Sequence, residues 1–152
     1  MVVGTCAAEG FVWRRKGDSL LLFGKALSKG WKPVYQHVAV ALHSSCEVGM
    51  DIEQYGTRVR KVASRFIRSD EEPAMMEGDE VYALLLHWSA KEALFKLMGV
   101  EEVDFIRHLR IFPFSLSEEG EFEACEYRTG RQERYRVRYV THPDFVLTWI
   151  IK

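Results

Sequence analysis

Val48-Gly49-Met50-Asp51-Ile52-Glu53 and, about forty residues further on, Trp88-Ser89-Ala90-Lys91-Glu92-Ala93-Leu94-Phe95-Lys96 are the stretches whose reading decides the fold. The first falls in Glu47 to Glu53, which reads as a strand. Side chains alternate along a strand, so Asp51 and Glu53 share one face, and Met50 and Ile52 are expected to face the core. The second falls in Asp79 to Met98, the strongest helical stretch of the chain. Asp79 can cap it and Gly99 can end it. Val81, Leu84, Leu85, Trp88 and Phe95 supply its apolar stripe. Glu92 and Lys96 lie four apart and share a helix face. If that face meets the end of the strand, Asp51, Glu53 and Glu92 converge beside Lys91 and Lys96. Oxygen donors of that kind suit a hard cation such as Mg²⁺, which keeps waters for phosphate oxygens. The ammonium groups suit the phosphate charge that a cation leaves over. Each fragment alone is more often just a solvated surface, and only the two together point to a site.

Working outward, His37 to Ser44 reads as a strand joined to Glu47–Glu53 by a tight turn at Ser44–Cys46. Arg58 to Ile67 reads as a helix with Val59, Val62, Ala63 and Phe66 on one face. Ser69-Asp70-Glu71-Glu72 fits a capping box that opens a further helix, kept short by Pro73. After the long helix, His108 to Phe114, Glu121 to Tyr127, Arg134 to Val140 and Phe145 to Ile151 read as strands. Gly120, Gly130 and Pro143-Asp144 read as turns. Strands, then helices, then strands give an α+β class. Met1 to Trp31 shows no clear period, is cut by five glycines, and receives no element.

The bulk numbers bound the function. With 152 residues and 47% apolar content, the chain suits one compact domain. Its 21 basic and 22 acidic residues leave a formal charge of −1, which argues against nucleic acid or an anionic membrane as partner. The apolar run at Val81 to Leu86 is too short to span a bilayer. The N-terminus lacks the basic-then-apolar order of a signal peptide. Cys6, Cys46 and Cys125 are odd in number and scattered, as in a reduced cytoplasmic protein. The five histidines show no metal-ligand spacing.

Together the two quoted stretches resemble the signature motifs of the 4′-phosphopantetheinyl transferase superfamily, roughly V-G-hydrophobic-D-I-E and then W-S/A-x-K-E-A-x-x-K. Their separation, Gly99-Val100, Val103-Asp104-Phe105 and the late strands ending at Trp149 are similar to the surfactin-type branch. The resemblance covers about Val38 to Lys152. It implies a long helix packed on a small antiparallel sheet, and Mg²⁺-dependent transfer of phosphopantetheine from coenzyme A to a serine of an acyl or peptidyl carrier protein. It also implies roles. Asp51, Glu53 and Glu92 would be the Mg²⁺ carboxylates, Lys91 would hold a coenzyme A phosphate, and Lys96 would stabilise or protonate the leaving adenosine 3′,5′-bisphosphate. Glu92 would help to deprotonate the carrier serine.

The front of the chain departs from that pattern. Surfactin-type members carry a Ser-His pair shortly before the first motif. Here the segment reads Lys32-Pro33-Val34-Tyr35-Gln36-His37-Val38-Ala39-Val40-Ala41-Leu42-His43, without such a pair. Residues 1–37 are therefore expected to be a divergent segment or the remnant of an incomplete N-terminal half, and 38–152 the transferase domain. One back-translation of Gly24 to His37, read one base later, spells G-K-P-Y-P-K-D-G-S-R-Y-I-S, which resembles the family's front half. A frameshifted front segment is thus one expectation and a divergent one the other. Three forms follow: a transferase of reduced activity, a non-catalytic module of the same fold with at most a weak Mg²⁺ site, and a short form that rebuilds its cleft by self-association.

Overall fold

In the computed structural model of the chain, residues 2–6, 11–16, 19–25, 37–43, 45–71, 73 and 79–152 are described. Their order is β1 (Val2–Cys6), β2 (Phe11–Lys16), β3 (Ser19–Lys25), β4 (His37–His43), β5 (Val48–Gln54), α1 (Val59–Val62), a 3-10 turn (Ala63–Arg65), α2 (Glu80–Met98), α3 (Phe105–His108), β6 (Leu109–Ile111), β7 (Glu119–Glu126), β8 (Arg134–His142) and β9 (Phe145–Ile151). Two antiparallel sheets form, one in the order β1-β2-β3-β4 and the other in the order β5-β9-β8-β7-β6. The expected α+β class is present: the second sheet curls around α2, which packs on β5, β9, β8 and β6. No helix among the described residues is long and apolar enough to cross a membrane.

The front segment, which received no element from its sequence, contains three strands and leads into a fourth. Lys16 pairs with Ser19, and β3 pairs with β4 from Ser19↔His43 to Lys25↔His37. Gly17-Asp18 falls between the paired residues Lys16 and Ser19, and such a dipeptide is a two-residue hairpin signal. The strands on either side of Ser44–Cys46 exist as expected but join different sheets, so 37/38 lies inside the first sheet's last strand. The His43 ring holds the link between the sheets: its Nδ1 accepts the Ser45 and Cys46 N–H groups at 3.2 and 2.9 Å.

α2 is buried nearly all round rather than along one stripe. Val81, Leu84 and Leu85 are buried as expected, but so are Ala83, Leu86, Ala90, Ala93 and Leu94, while Phe95 is exposed. A helix enclosed by a curled sheet and flanking turns needs apolar residues on most of its circumference. Each fully buried leucine contributes about 1.5–3 kcal/mol. Asp79 stands at the N-cap without a side-chain capping bond, whereas Gly99 closes the helix at φ 58° with its N–H on Phe95 O. The helix expected at Arg58–Ile67 shrinks to α1 and the 3-10 turn, although Val59 and Phe66 do bury. Of the capping box at Ser69, Glu72 lies outside the described residues. The carboxylate that reaches back is Glu71, which accepts the Arg68 N–H at 2.9 Å.

Three further expectations change. His108 ends α3, and only Leu109–Ile111 forms the strand expected there. Gly120 lies inside β7, not in a turn; a Cβ there would stand 2.9 Å from the Tyr139 hydroxyl. Met50 and Ile52 do not face the helical core. They pair with Trp149 and Leu147, and the core is entered by the alternate residues Val146 and Ile150. Leu147 and Phe145 are nonetheless buried, at 1% and 4% exposure, so the sheet has two covered faces.

The face of β5 toward α2 begins at Gly49. A Cβ there would lie 2.1 Å from Ala93 O and 2.7 Å from Leu97 Cβ. Gly49→Ala is expected to cost at least the roughly 1–3 kcal/mol of an overpacked core, read as a lower urea midpoint. The contact is with backbone, so neighbouring side chains cannot relieve it.

Candidate active site

A helix advances about 6 Å per four residues, and a strand about 6.6 Å per two. The steps nearly match, so one face of α2 can meet one face of β5 residue for residue. The two elements run in opposite directions. Gly49 lies under Ala93 and Leu97, and Glu53 lies at Trp88. Trp88 Nε1 donates to Glu53 Oε1 at 2.9 Å. Ser89 Oγ donates to Asp51 O at 3.3 Å and stands 2.8 Å from Thr148 Oγ1 in the buried seam. Lys96 Nζ donates to Asp51 Oδ1 at 2.6 Å and to Met50 O at 3.3 Å. Glu92 lies between Trp88 and Lys96 on the same face, near enough to Asp51 and Glu53 for mutual repulsion.

The carboxylates are under electrostatic load. Burial and the neighbouring Asp51 push Glu53 above the usual carboxylate range, Glu92 adds to this, and the Trp88 N–H and Lys96 oppose it. Glu92 is raised too, by burial first and Asp51 second, against Lys96. Asp51 is buried at 8% exposure, and its Oδ2 has no hydrogen-bond partner. Buried polar atoms are rarely left so. Among the described residues no three His, Cys, Asp or Glu side chains enclose an ion-sized space. Asp51 Oδ2, Glu53 and Glu92 are still an oxygen-only donor set with surplus negative charge, which fits a hard divalent cation. Beside them an open cleft of about 710 Å³ is lined by Glu53, Tyr55, Val59, Val62, Leu85 and Trp88.

Lys91 is not in this group. Its side chain is fully buried, and its ammonium bonds Glu71 at 2.8 and 2.9 Å, Phe66 O at 2.5 Å and Phe105 O at 3.2 Å. Desolvation draws it below the usual lysine range, against the pull of Glu71. Neighbouring residues on a helix point about 100° apart, so Lys91 leaves the face that carries Glu92. Sequence reasoning gave no role at the site to Glu71, Trp88, Ser89 or Thr148, and placed Trp88 only on the apolar stripe. Trp88 and Ser89 were visible in the motif, but Glu71 and Thr148 meet the helix only in the folded chain.

A family model described as the 4′-phosphopantetheinyl transferase superfamily matches residues 47–150, well over half of the chain. The chain belongs to that superfamily. The matched stretch runs from the residue before β5 into β9, so the transferase match covers the second sheet, α2 and all the carboxylates above. A comparison with curated proteins finds no match. Because the Glu92 carboxyl is raised, it ionises less readily folded than unfolded. That penalty on folding is absent below the ordinary value of 4.5 and complete above the raised folded pKa. Glu92→Gln should therefore raise the melting temperature of the metal-free protein at neutral pH. The difference should close as pH falls below 4.5. An equal difference at all pH would break the link to ionisation.

Proposed function

We propose that this chain transfers 4′-phosphopantetheine from coenzyme A to a serine of an acyl or peptidyl carrier protein, with Mg²⁺ as cofactor. The observation that carries the reading is the meeting of Asp51, Glu53, Glu92 and Lys96 on one seam, with Asp51 Oδ2 buried and unpartnered. Asp51, Glu53 and Glu92 would hold the cation, some of them through water. When bound, Mg²⁺ would neutralise pyrophosphate oxygens of coenzyme A. Glu92, whose carboxyl is raised above its ordinary range by burial and Asp51, would accept the proton of the carrier serine. The serine oxygen forms the new bond to the pantetheine-side phosphorus, and the bond from that phosphorus to adenosine 3′,5′-bisphosphate breaks. Lys96, half-exposed and free to leave Asp51 when a cation arrives, would stabilise or protonate that leaving group. Lys91 has no donor left for a coenzyme A phosphate.

A second reading has an observation of its own. Lys96 already neutralises Asp51 at 2.6 Å, as it would in a non-catalytic module that uses a lysine in place of a cation. The front half also lacks the Ser-His pair, so the wall that grips the nucleotide end is weakened and turnover should be low.

Incubation with Mg²⁺, saturating coenzyme A and an apo carrier protein, followed by mass spectrometry, decides between these readings. Slow loading is expected. Asp51→Ala should abolish it and leave the melting temperature unchanged or higher, since an uncompensated carboxylate cluster is a cost to folding. Lys96→Ala should lower kcat by roughly 10²-fold, as for loss of one oxyanion-stabilising donor, and change the KM for coenzyme A less. Mg²⁺ binding without any carrier loading would select the non-catalytic module.

A further inference from the structure

Lys91 and Glu71 form the most enclosed charged pair among the described residues, both side chains at 0% exposure. Glu71 is fixed from two further sides: Oε2 accepts the Arg68 N–H at 2.9 Å and Oε1 accepts the Ile111 N–H at 2.7 Å. Through Lys91 the pair also holds Phe66 O, where the 3-10 turn ends, and Phe105 O, where α3 starts. One ion pair thus ties α2 to the turn at Arg68–Glu71, to α3 and to β6. Every hydrogen of the ammonium has an acceptor, which leaves none for a ligand. A buried pair is weak evidence of stability, because desolvation cancels most of the Coulombic gain. Its geometric content is specific: the bonds to Glu71, Phe66 O and Phe105 O all meet α2 at the residue next to Glu92. Side-chain ends lie roughly 5–6 Å off a helix axis, so a 20° rotation would move them by about 2 Å. Sites of this kind tolerate about 0.5 Å or 10–20°.

We infer that the buried Lys91–Glu71 pair is a positioning device: it sets the rotation of α2 that aims Trp88, Glu92 and Lys96 at β5, and it does not touch coenzyme A. The inference rests on the proposed transfer reaction for its functional consequence, but not for its geometry. Trp88 is the reporter: its indole N–H bonds Glu53 at 2.9 Å across the α2–β5 seam, and its ring packs on Phe66 and Phe105, whose carbonyls Lys91 holds.

The test is the double variant Lys91→Met/Glu71→Gln of the full chain. It removes both buried charges and keeps a side-chain acceptor for the Ile111 N–H; circular dichroism melting confirms that it folds. Lys91→Met alone is the companion, with Glu71→Gln alone as the milder variant should the others fail to fold. Three quantities are read: the Trp88 indole ¹H–¹⁵N resonance of metal-free protein, assigned with Trp88→Phe; Mg²⁺ affinity by calorimetry; and the kinetics of carrier loading. The folded variants should shift the indole resonance. They should lose roughly 10–100-fold in Mg²⁺ affinity and in kcat, the usual effect of removing a group that orients metal ligands, while KM for coenzyme A stays within about twofold. An unmoved indole resonance overturns the inference, whatever the activity. So does a raised KM with unchanged kcat, which would make Lys91 a phosphate ligand. If the wild-type chain neither binds Mg²⁺ nor loads a carrier, the transferase reading fails, and the indole resonance still tests the pair, since left unmoved it overturns the inference.

Discussion

The close approach of α2 to β5 over Gly49 is the contact on which the rest of the site depends. With no Cβ at that position, the Ala93 carbonyl sits where a side chain would begin. The helix then lies low enough for its four-residue step to match the strand's two-residue step. Trp88 reaches Glu53, Lys96 reaches Asp51, and Ser89 bonds Thr148 within the seam. The carboxylates therefore stand on two rigid elements, not on loops, and small side chains set their spacing.

Two polar systems lie on different sides of the same helix, and they differ in how well they are satisfied. Around Lys91 and Glu71, each charged group has a partner at hydrogen-bond distance, and the system is closed to solvent. Around Asp51, Glu53 and Glu92, negative charge exceeds positive, two carboxyl groups are hard to ionise, and a buried oxygen is left over. A satisfied buried network specifies a packing arrangement, whereas an unsatisfied one costs stability and persists where function requires it. The satisfied system holds the unsatisfied one in place, which gives adjacent residues of one motif, Lys91 and Glu92, opposite kinds of work.

The errors of sequence reading share a cause. Met50 and Ile52 were expected in the core because one covered sheet face was assumed; Leu147 and Phe145 are buried on the other face as well. Lys91 was expected at the site because it adjoins Glu92 in the motif and the resemblance gives it a coenzyme A phosphate; its side chain is instead fully buried. Its burial depends on Glu71, twenty residues away in a segment without period. Phe95, placed on the buried stripe, is exposed, while alanines not counted as core are fully enclosed. The strands of the front segment were missed because runs such as Leu20-Leu21-Leu22-Phe23 carry no alternation.

The sequence by itself determined the two motifs, the shared strand face of Asp51 and Glu53, the shared helix face of Glu92 and Lys96, and the class of fold. These follow from spacing of two and of four residues, which local backbone geometry converts directly into direction. Only the tertiary structure decided that Lys91 turns inward to Glu71, that Trp88 holds Glu53, and that Asp51 Oδ2 is left without a partner. Burial and hydrogen bonding depend on which segments meet, and here the partners lie twenty to sixty residues apart in the chain, with Gly49 letting the helix lie close on β5.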